Sequence, residues 1–192
     1  MNTDNSLAAK HQRAKKMMLW FGMISMSMTF AGLTSAYVVS SSRTDWIQQI
    51  ELPTAFIIST LLMLLSSATF FLSFKSLKQQ NKTRSLGLLG ATFALALLFI
   101  YFQFQGFQAI IDQGYYFTGA QSSITTSFLY VLVLLHLLHL VAGICSVSWV
   151  FYNTWKNKFK PENTLGFELA LTFWHFLDFL WLYLFLFVSF YR

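Results

Sequence analysis

Seven side chains in the last third of this sequence carry groups that could do chemistry: His136 and His139 in one apolar run, and Glu168, Trp174, His175, Asp178 and Trp181 in the next. Both runs are long enough to cross a bilayer, and a carboxylate or imidazole at that depth is costly unless a neighbour or water satisfies it. Three chemistries fit such residues. Histidines and an aspartate can hydrogen-bond between helices as a modest fastening, with Trp174 and Trp181 packing one turn to either side of Asp178. A pair such as His136 and His175 is a conceivable haem or metal ligand set, because imidazole is a common ligand. Buried acids and imidazoles can also relay protons. Glu168, close to the end of its run, is the relay candidate because water reaches it there, and snorkelling to the interface is its plain alternative.

Helices must position these groups, and the chain supplies five apolar stretches of the roughly 20 residues that a spanning helix needs: about 17–40, 53–74, 86–111, 127–152 and 165–191. A helix closes its own backbone hydrogen bonds where no water can. The runs therefore predict an all-α, polytopic membrane protein with five transmembrane helices in a single membrane domain, 1–192. At about 1.5 Å per residue, His136 and His139 lie about 13 and 18 Å below the outer end of the fourth helix. His175 and Asp178 lie about 15 and 20 Å above the inner end of the fifth. In a core about 30 Å thick, His136, His175 and Asp178 come to comparable depth, so the last two helices are expected to share one polar cluster.

Composition agrees with the membrane class: 56% of the 192 residues are hydrophobic, 10% are charged, and phenylalanine alone occurs 22 times. The net charge of +6 does not point to nucleic acid, because the basic residues sit in short clusters between apolar runs. Lys10, Arg13, Lys15 and Lys16, then Lys75, Lys78, Lys82 and Arg84, then Lys156, Lys158 and Lys160 fall on one side, against Arg43 and Arg192 on the other. The positive-inside rule then puts the N-terminus in the cytoplasm or matrix and the C-terminus outside. The first apolar run is too long for a signal-peptide core and is read as retained. Cys145 is the only cysteine, so no intrachain disulfide, zinc set or iron–sulfur set is expected.

Smaller signals concern packing. Gly22, Ser25, Thr29, Gly32 and Ala36 recur at helical spacing and predict a close-approach seam on the first helix. Gly87, Gly90, Ala91 and Ala94 suggest the same for the third. The methionines Met17, Met18, Met23, Met26 and Met28 lie all round the first helix and read as gap-fillers, not as a soft-metal site. Leu52-Pro53 opens the second helix, whose Thr60, Ser66, Ser67 and Thr69 can bond to helix carbonyls or across to a neighbour. The third helix ends with Gln103, Gln105, Gln108 and Asp112 near the outer surface, the last three forming a polar stripe, and the segment from Gln113 to Thr126 reads as an outer loop. No nucleotide-binding loop, nucleophile elbow, zinc signature or calcium loop occurs.

These residues resemble a family. Gly166-Phe167-Glu168, then Trp174-His175-Phe176-Leu177-Asp178, then Trp181-Leu182, look like the last-helix signature of subunit III of the haem–copper oxidases, cytochrome c oxidase above all. His136-Leu137-Leu138-His139 with Gly143 is similar to its penultimate-helix motif. Phe30-Ala31-Gly32-Leu33 with Ala36-Tyr37, and Leu52-Pro53 with Thr60-Leu61-Leu62 and Ser66-Ser67, match its earlier helices. Two positions depart from the family pattern: Met26 stands where a glutamate is usual, and Gln105-Gly106 stand in the region of a second. The chain looks like the short, five-helix form.

The resemblance implies a non-catalytic subunit of a proton-pumping cytochrome c oxidase in a bacterial inner membrane. Such a subunit packs on subunit I, works beside subunit II, binds phospholipid and supports proton uptake, while haem and copper belong to the partner subunits. In that setting His136, His139, Trp174, His175, Asp178 and Trp181 form a structural polar cluster, and Glu168 is a proton-uptake or lipid-head-group site. The same fold serves subunit III of quinol oxidases and an accessory protein of nitric oxide reduction. A free-standing b-type cytochrome or small transporter is the reading from a different class.

Overall fold

A computed structural model describes residues 2–42, 53–114, 124–159 and 164–191. Arg43, Leu52, Lys160, Arg192 and most of the expected outer loop lie outside the described residues. All regular structure among the described residues is helical: α1 Asn2–Ser40, α2 Thr54–Lys78, α3 Lys82–Asp112, α4 Ile124–Trp155 and α5 Leu165–Phe190. Each contains a segment long and apolar enough to cross a membrane. The helices run beyond the predicted spans where polar residues continue the same backbone, most of all in α1, which begins at Asn2, well before its apolar run. Pro53 precedes α2, where its missing N–H costs nothing, and its carbonyl accepts the N–H of Phe56 at 3.1 Å.

Two helix ends share a device. Gln80 and Asn157 take φ of 61° and 55°, the left-handed conformation that lets a chain turn off a helix. The following N–H groups reach back six residues inclusive, Asn81 to Ser76 O and Lys158 to Asn153 O, each at 3.0 Å, and so cap carbonyls that α2 and α4 would leave open. The first of these turns makes α2 and α3 an antiparallel hairpin.

The helices α2, α3, α4 and α5 form a ring in which each packs on two others, and α1 lies outside it against α4 and α5. The ring encloses the core: Phe70, Phe99, Leu89, Leu140, Phe167, Trp174 and Leu177 are all fully buried. Close approach within it depends on three glycines, Gly106, Gly143 and Gly166, the last of which would carry a Cβ 2.8 Å from the Trp149 ring. A Cβ on Gly143 would meet Leu177 Cδ1 at 2.7 Å and Trp174 Cε3 at 3.3 Å, and one on Gly106 would meet Phe56 Cζ at 2.8 Å.

The small-residue seam expected on α1 is not a seam within this chain. Nothing lies within 4 Å of a Cβ built on Gly22 or Gly32, and Ser25 and Thr29 are exposed. Instead α1 packs through the buried residues of the neighbouring face, Met23, Phe30, Thr34 and Tyr37. Gly87 and Gly90 of α3 also meet nothing within 4 Å. The methionines of α1 are spread as expected, with Met23 buried and Met17, Met18 and Met28 exposed.

Candidate functional site

Going up α5 from its first turn, the residues singled out in the sequence divide between two faces. Glu168 and His175 are seven residues apart and share one face; Trp174 and Trp181, also seven apart, share another, with Asp178 beside them. The tryptophan face points into the ring. Trp174 is fully buried and meets Phe70 edge-on at 6.1 Å. Trp181 donates its indole N–H to Thr60 Oγ1 of α2 at 3.0 Å. Its ring lies 5.2 Å from that of His136 and 5.2 Å, edge-on, from Phe99 of α3. His136 is therefore walled by aromatic rings from two helices, fully buried, with neither ring nitrogen hydrogen-bonded.

The other face of α5 looks outward and toward α2. His175 Nδ1 hydrogen-bonds with Ser67 Oγ of α2 and lies 3.9 Å from Asp178 Oδ2. Asp178 is buried with both carboxyl oxygens lacking a hydrogen-bond partner, as is the Trp174 indole nitrogen one turn below it. His139 belongs to a third neighbourhood: its Nδ1 lies 2.8 Å from the Leu135 carbonyl of its own helix, and its ring rests 5.7 Å from Phe30 of α1. The depth comparison thus brings His136 to Trp181, but His175 and Asp178 sit against α2, and His139 sits toward α1. Rings that face different helices do not converge as an axial pair. Among the described residues no group of three or more His, Cys, Asp and Glu is placed to hold a metal ion.

Glu168 lies at the α5 N-terminus, where a carboxylate also favours the helix dipole. Its Oε2 is 3.5 Å from Lys16 Nζ of α1 and its Oε1 is 3.8 Å from Lys78 Nζ of α2; Thr164 Oγ1 donates to Oε1 at 3.3 Å. One carboxylate thereby joins three helices. Lys82 Nζ donates to the Trp155 carbonyl at 2.7 Å, bringing the α4 end to the same edge of the bundle.

Sequence reasoning missed most of the partners. Gln103, expected near the outer surface with the other polar residues of α3, is buried and donates to Ser59 Oγ at 3.0 Å. Its neighbours Gln105 and Gln108 are exposed and bond within α3, to Tyr101 and Asp112. Thr69 pairs with Thr92 at 2.9 Å, and Ser73 with Ser85 at 3.0 Å, between α2 and α3. A signal was available for the α5 side: on α2, Ser67 and Lys78 are eleven residues apart and share a face, matching His175 and Glu168 on an antiparallel neighbour.

At the lysine-rich edge, a cleft of about 760 Å³ opens between α1, α4 and α5. Lys15 and Lys158 stand with Asn153 among its polar groups, and Leu19, Leu169 and Phe173 contribute apolar wall.

Residues 15–192 match the family described as cytochrome c oxidase subunit III. The chain is 28% identical over 170 residues to cytochrome bo(3) ubiquinol oxidase subunit 3 of Pseudomonas aeruginosa, covering 86% of this chain and 79% of that protein. To the protein of the same description in Pseudomonas putida it is 30% identical, with 84% and 74% covered. To cytochrome c oxidase subunit 3 of Loxodonta africana it is 31% identical over 133 residues, which are 68% of this chain and 48% of that protein. The family match runs through all five helices, and the chain belongs to the subunit III family of the haem–copper terminal oxidases.

Proposed function

We propose that this chain is the non-catalytic third subunit of a membrane-bound terminal oxidase, and that the oxidase takes its electrons from a quinol. The pattern of coverage carries the donor reading: the chain spans 79% and 74% of two ubiquinol oxidase subunits 3, but 48% of an animal cytochrome c oxidase subunit 3. That moves the donor from cytochrome c, which the resemblance puts first, to the quinol alternative. The separate packing of His136 and His175 supports placing haem and copper in partner subunits, with this chain packing on subunit I.

The gathering of Lys16, Lys78 and Lys82 at one edge of the bundle supports a cytoplasmic N-terminus in a bacterial inner membrane. Glu168, held between Lys16 and Lys78, acts in this reading as a tie between helices more than as an acid in proton uptake. The cleft beside it takes a phospholipid, with the head-group phosphate on Lys15 and Lys158 and the acyl chains along Leu19, Leu169 and Phe173.

Purification through a tag on this chain should recover a haem-containing complex that oxidises ubiquinol and leaves ferrocytochrome c unreacted. Recovery of the chain alone in mild detergent overturns the subunit reading. A complex that oxidises ferrocytochrome c and ignores ubiquinol overturns only the donor. Replacing Lys15 and Lys158 together by glutamine should lower the phospholipid retained by the purified complex; unchanged lipid content removes the cleft from the proposal.

A further inference from the structure

The outward surface of the five helices is built of leucine, isoleucine, phenylalanine and valine at most positions, as hydrocarbon tails require. Polar side chains interrupt it in several places, among them exposed Ser25 and Thr29 of α1 and part-exposed His139 of α4 and His175 of α5. Between α2 and α5 the His175 side chain is 39% exposed, with only Nδ1 engaged, by Ser67. No described residue bonds to its Nε2, and Asp178 lies immediately behind it, with Oδ2 3.9 Å from Nδ1. His175 is seven residues beyond Glu168, which marks the lysine-rich edge, so the ring lies about 10 Å inside that edge. An imidazole is too short to snorkel that distance to water.

The Ser67 bond makes the exposed nitrogen a directed group. When the hydroxyl donates to Nδ1, the neutral ring carries its proton on Nε2 and presents a donor outward. When Nδ1 carries the proton, Nε2 presents a lone pair. Lipid tails satisfy neither state, and a polar backbone or side chain from protein satisfies either. The site also has a shaped rim. Phe71 of α2, 53% exposed, and Phe179 of α5, 71% exposed, each lie one turn from the Ser67–His175 contact, and because the two helices are antiparallel they bracket it from opposite sides along the membrane normal.

We propose that this groove between α2 and α5 seats a transmembrane helix of a partner subunit, which places a hydrogen-bonding group on His175 Nε2 while Phe71 and Phe179 pack on its apolar surface. The inference rests on the reading of the chain as an oxidase subunit and adds the face by which it docks. The occupant is a protein helix because the unmet group is polar and the rim around it is apolar and aromatic. A polar contact in an otherwise apolar seam adds a modest hydrogen bond between membrane helices.

The test uses the assembled complex. A photoreactive benzophenone amino acid is placed at Phe71, at Phe179, and at Leu138, which is 66% exposed on α4 well away from the groove. Illumination should join positions 71 and 179 to the same partner polypeptide, with position 138 giving no such product. In parallel, His175→Ala should weaken retention of this chain in the complex on the order of three- to tenfold, with much of the loss restored by His175→Gln. If positions 71 and 179 label lipid only, or a second copy of this chain, while the complex still co-purifies, the docking face is wrong and the subunit reading stands. If the unmodified tagged chain recovers no partner, both fall together.

Discussion

The ring α2–α5 and the outlying helix α1 solve the same problem, holding an apolar helix in place within a bilayer, by different means. In the ring, large side chains interlock over glycines: Gly143 lets Trp174 and Leu177 reach α4, and Gly106 admits Phe56. Hydroxyl and indole groups then bond across the gaps, as in Trp181 to Thr60 and Thr69 to Thr92. Helix α1 has only one buried stripe among its described side chains. It is held by Phe30 and Tyr37 against α4 and α5, by a Thr34–Tyr183 hydroxyl pair at 3.0 Å, and by the Lys16–Glu168 ion pair at the edge. In the apolar stretch of α1 17% of the residues are buried, against 33% in α2, 28% in α3 and 44% in α4 and in α5. Because lipid tails solvate an apolar helix as well as protein does, the difference lies in shape fit and polar pairing. The ring therefore carries the fold, and α1 is positioned on it.

That contrast can be broken most decisively at its centre. Trp174→Ala removes a fully buried indole from the ring and should destabilise it by about 3–5 kcal/mol, read as a fall in the detergent unfolding midpoint and in the amount of assembled complex. A midpoint equal to that of wild type would show that the ring is not where stability resides. Next in size, Gly143→Ala should cost about 1–3 kcal/mol, because the Leu177 methyl 2.7 Å from the new Cβ has to move. Gly32→Ala on α1 meets nothing and should be neutral or slightly stabilising in the same measurement. Equal effects at the two glycines would erase the distinction between the regions.

The same pair of glycines shows what was legible in the sequence. Five spans are readable because an uninterrupted apolar run of spanning length seldom occurs except in a membrane helix. Which face of each span is used is not, since core and lipid are equally apolar and the hydrophobic periodicity that marks a soluble helix is absent. Gly22, Gly32, Gly87 and Gly90 share helical spacing with true contact glycines, yet spacing says only that residues share a face, not that a neighbour occupies it. Depth is readable to about a turn, which is enough to level His136 with α5. Rotation about the helix axis is a separate matter, and it is rotation that sends His175 to Ser67 and Trp181 to His136. The last-helix motif mixes both faces in one string of letters, which is why its members look like a single site.

A smaller effect is expected where α1 meets α5 in mid-membrane. Replacing Thr34 by valine together with Tyr183 by phenylalanine removes the only side-chain hydrogen bond between these helices at that depth among the described residues. The cost should be about 0.6 kcal/mol, the average for such pairs, seen as faster proteolysis or exchange of α1 with no change in the ring's unfolding midpoint. A fall in the ring's midpoint would mean that α1 is part of one cooperative unit with it.

The smallest change, and the most local, should come from Glu168→Gln. Its carboxylate is 35% exposed and its lysine partners 52%, so solvent screening keeps the tie to about 0.2–1 kcal/mol. That is too little to unfold anything, but Lys16 is the last anchor before the basic N-terminal turns of α1. Spin labels at Arg13 and Lys75, both near that edge, should report a narrow distance distribution in the wild type and a broader one in the variant. Raising the salt from about 10 mM to 1 M shortens the screening length from about 30 to about 3 Å and should broaden the wild-type distribution while leaving the variant unchanged. The ring midpoint should stay fixed throughout. If salt broadens both proteins equally, the edge is loosened by something other than this carboxylate, and α1 is held by its contacts deeper in the membrane.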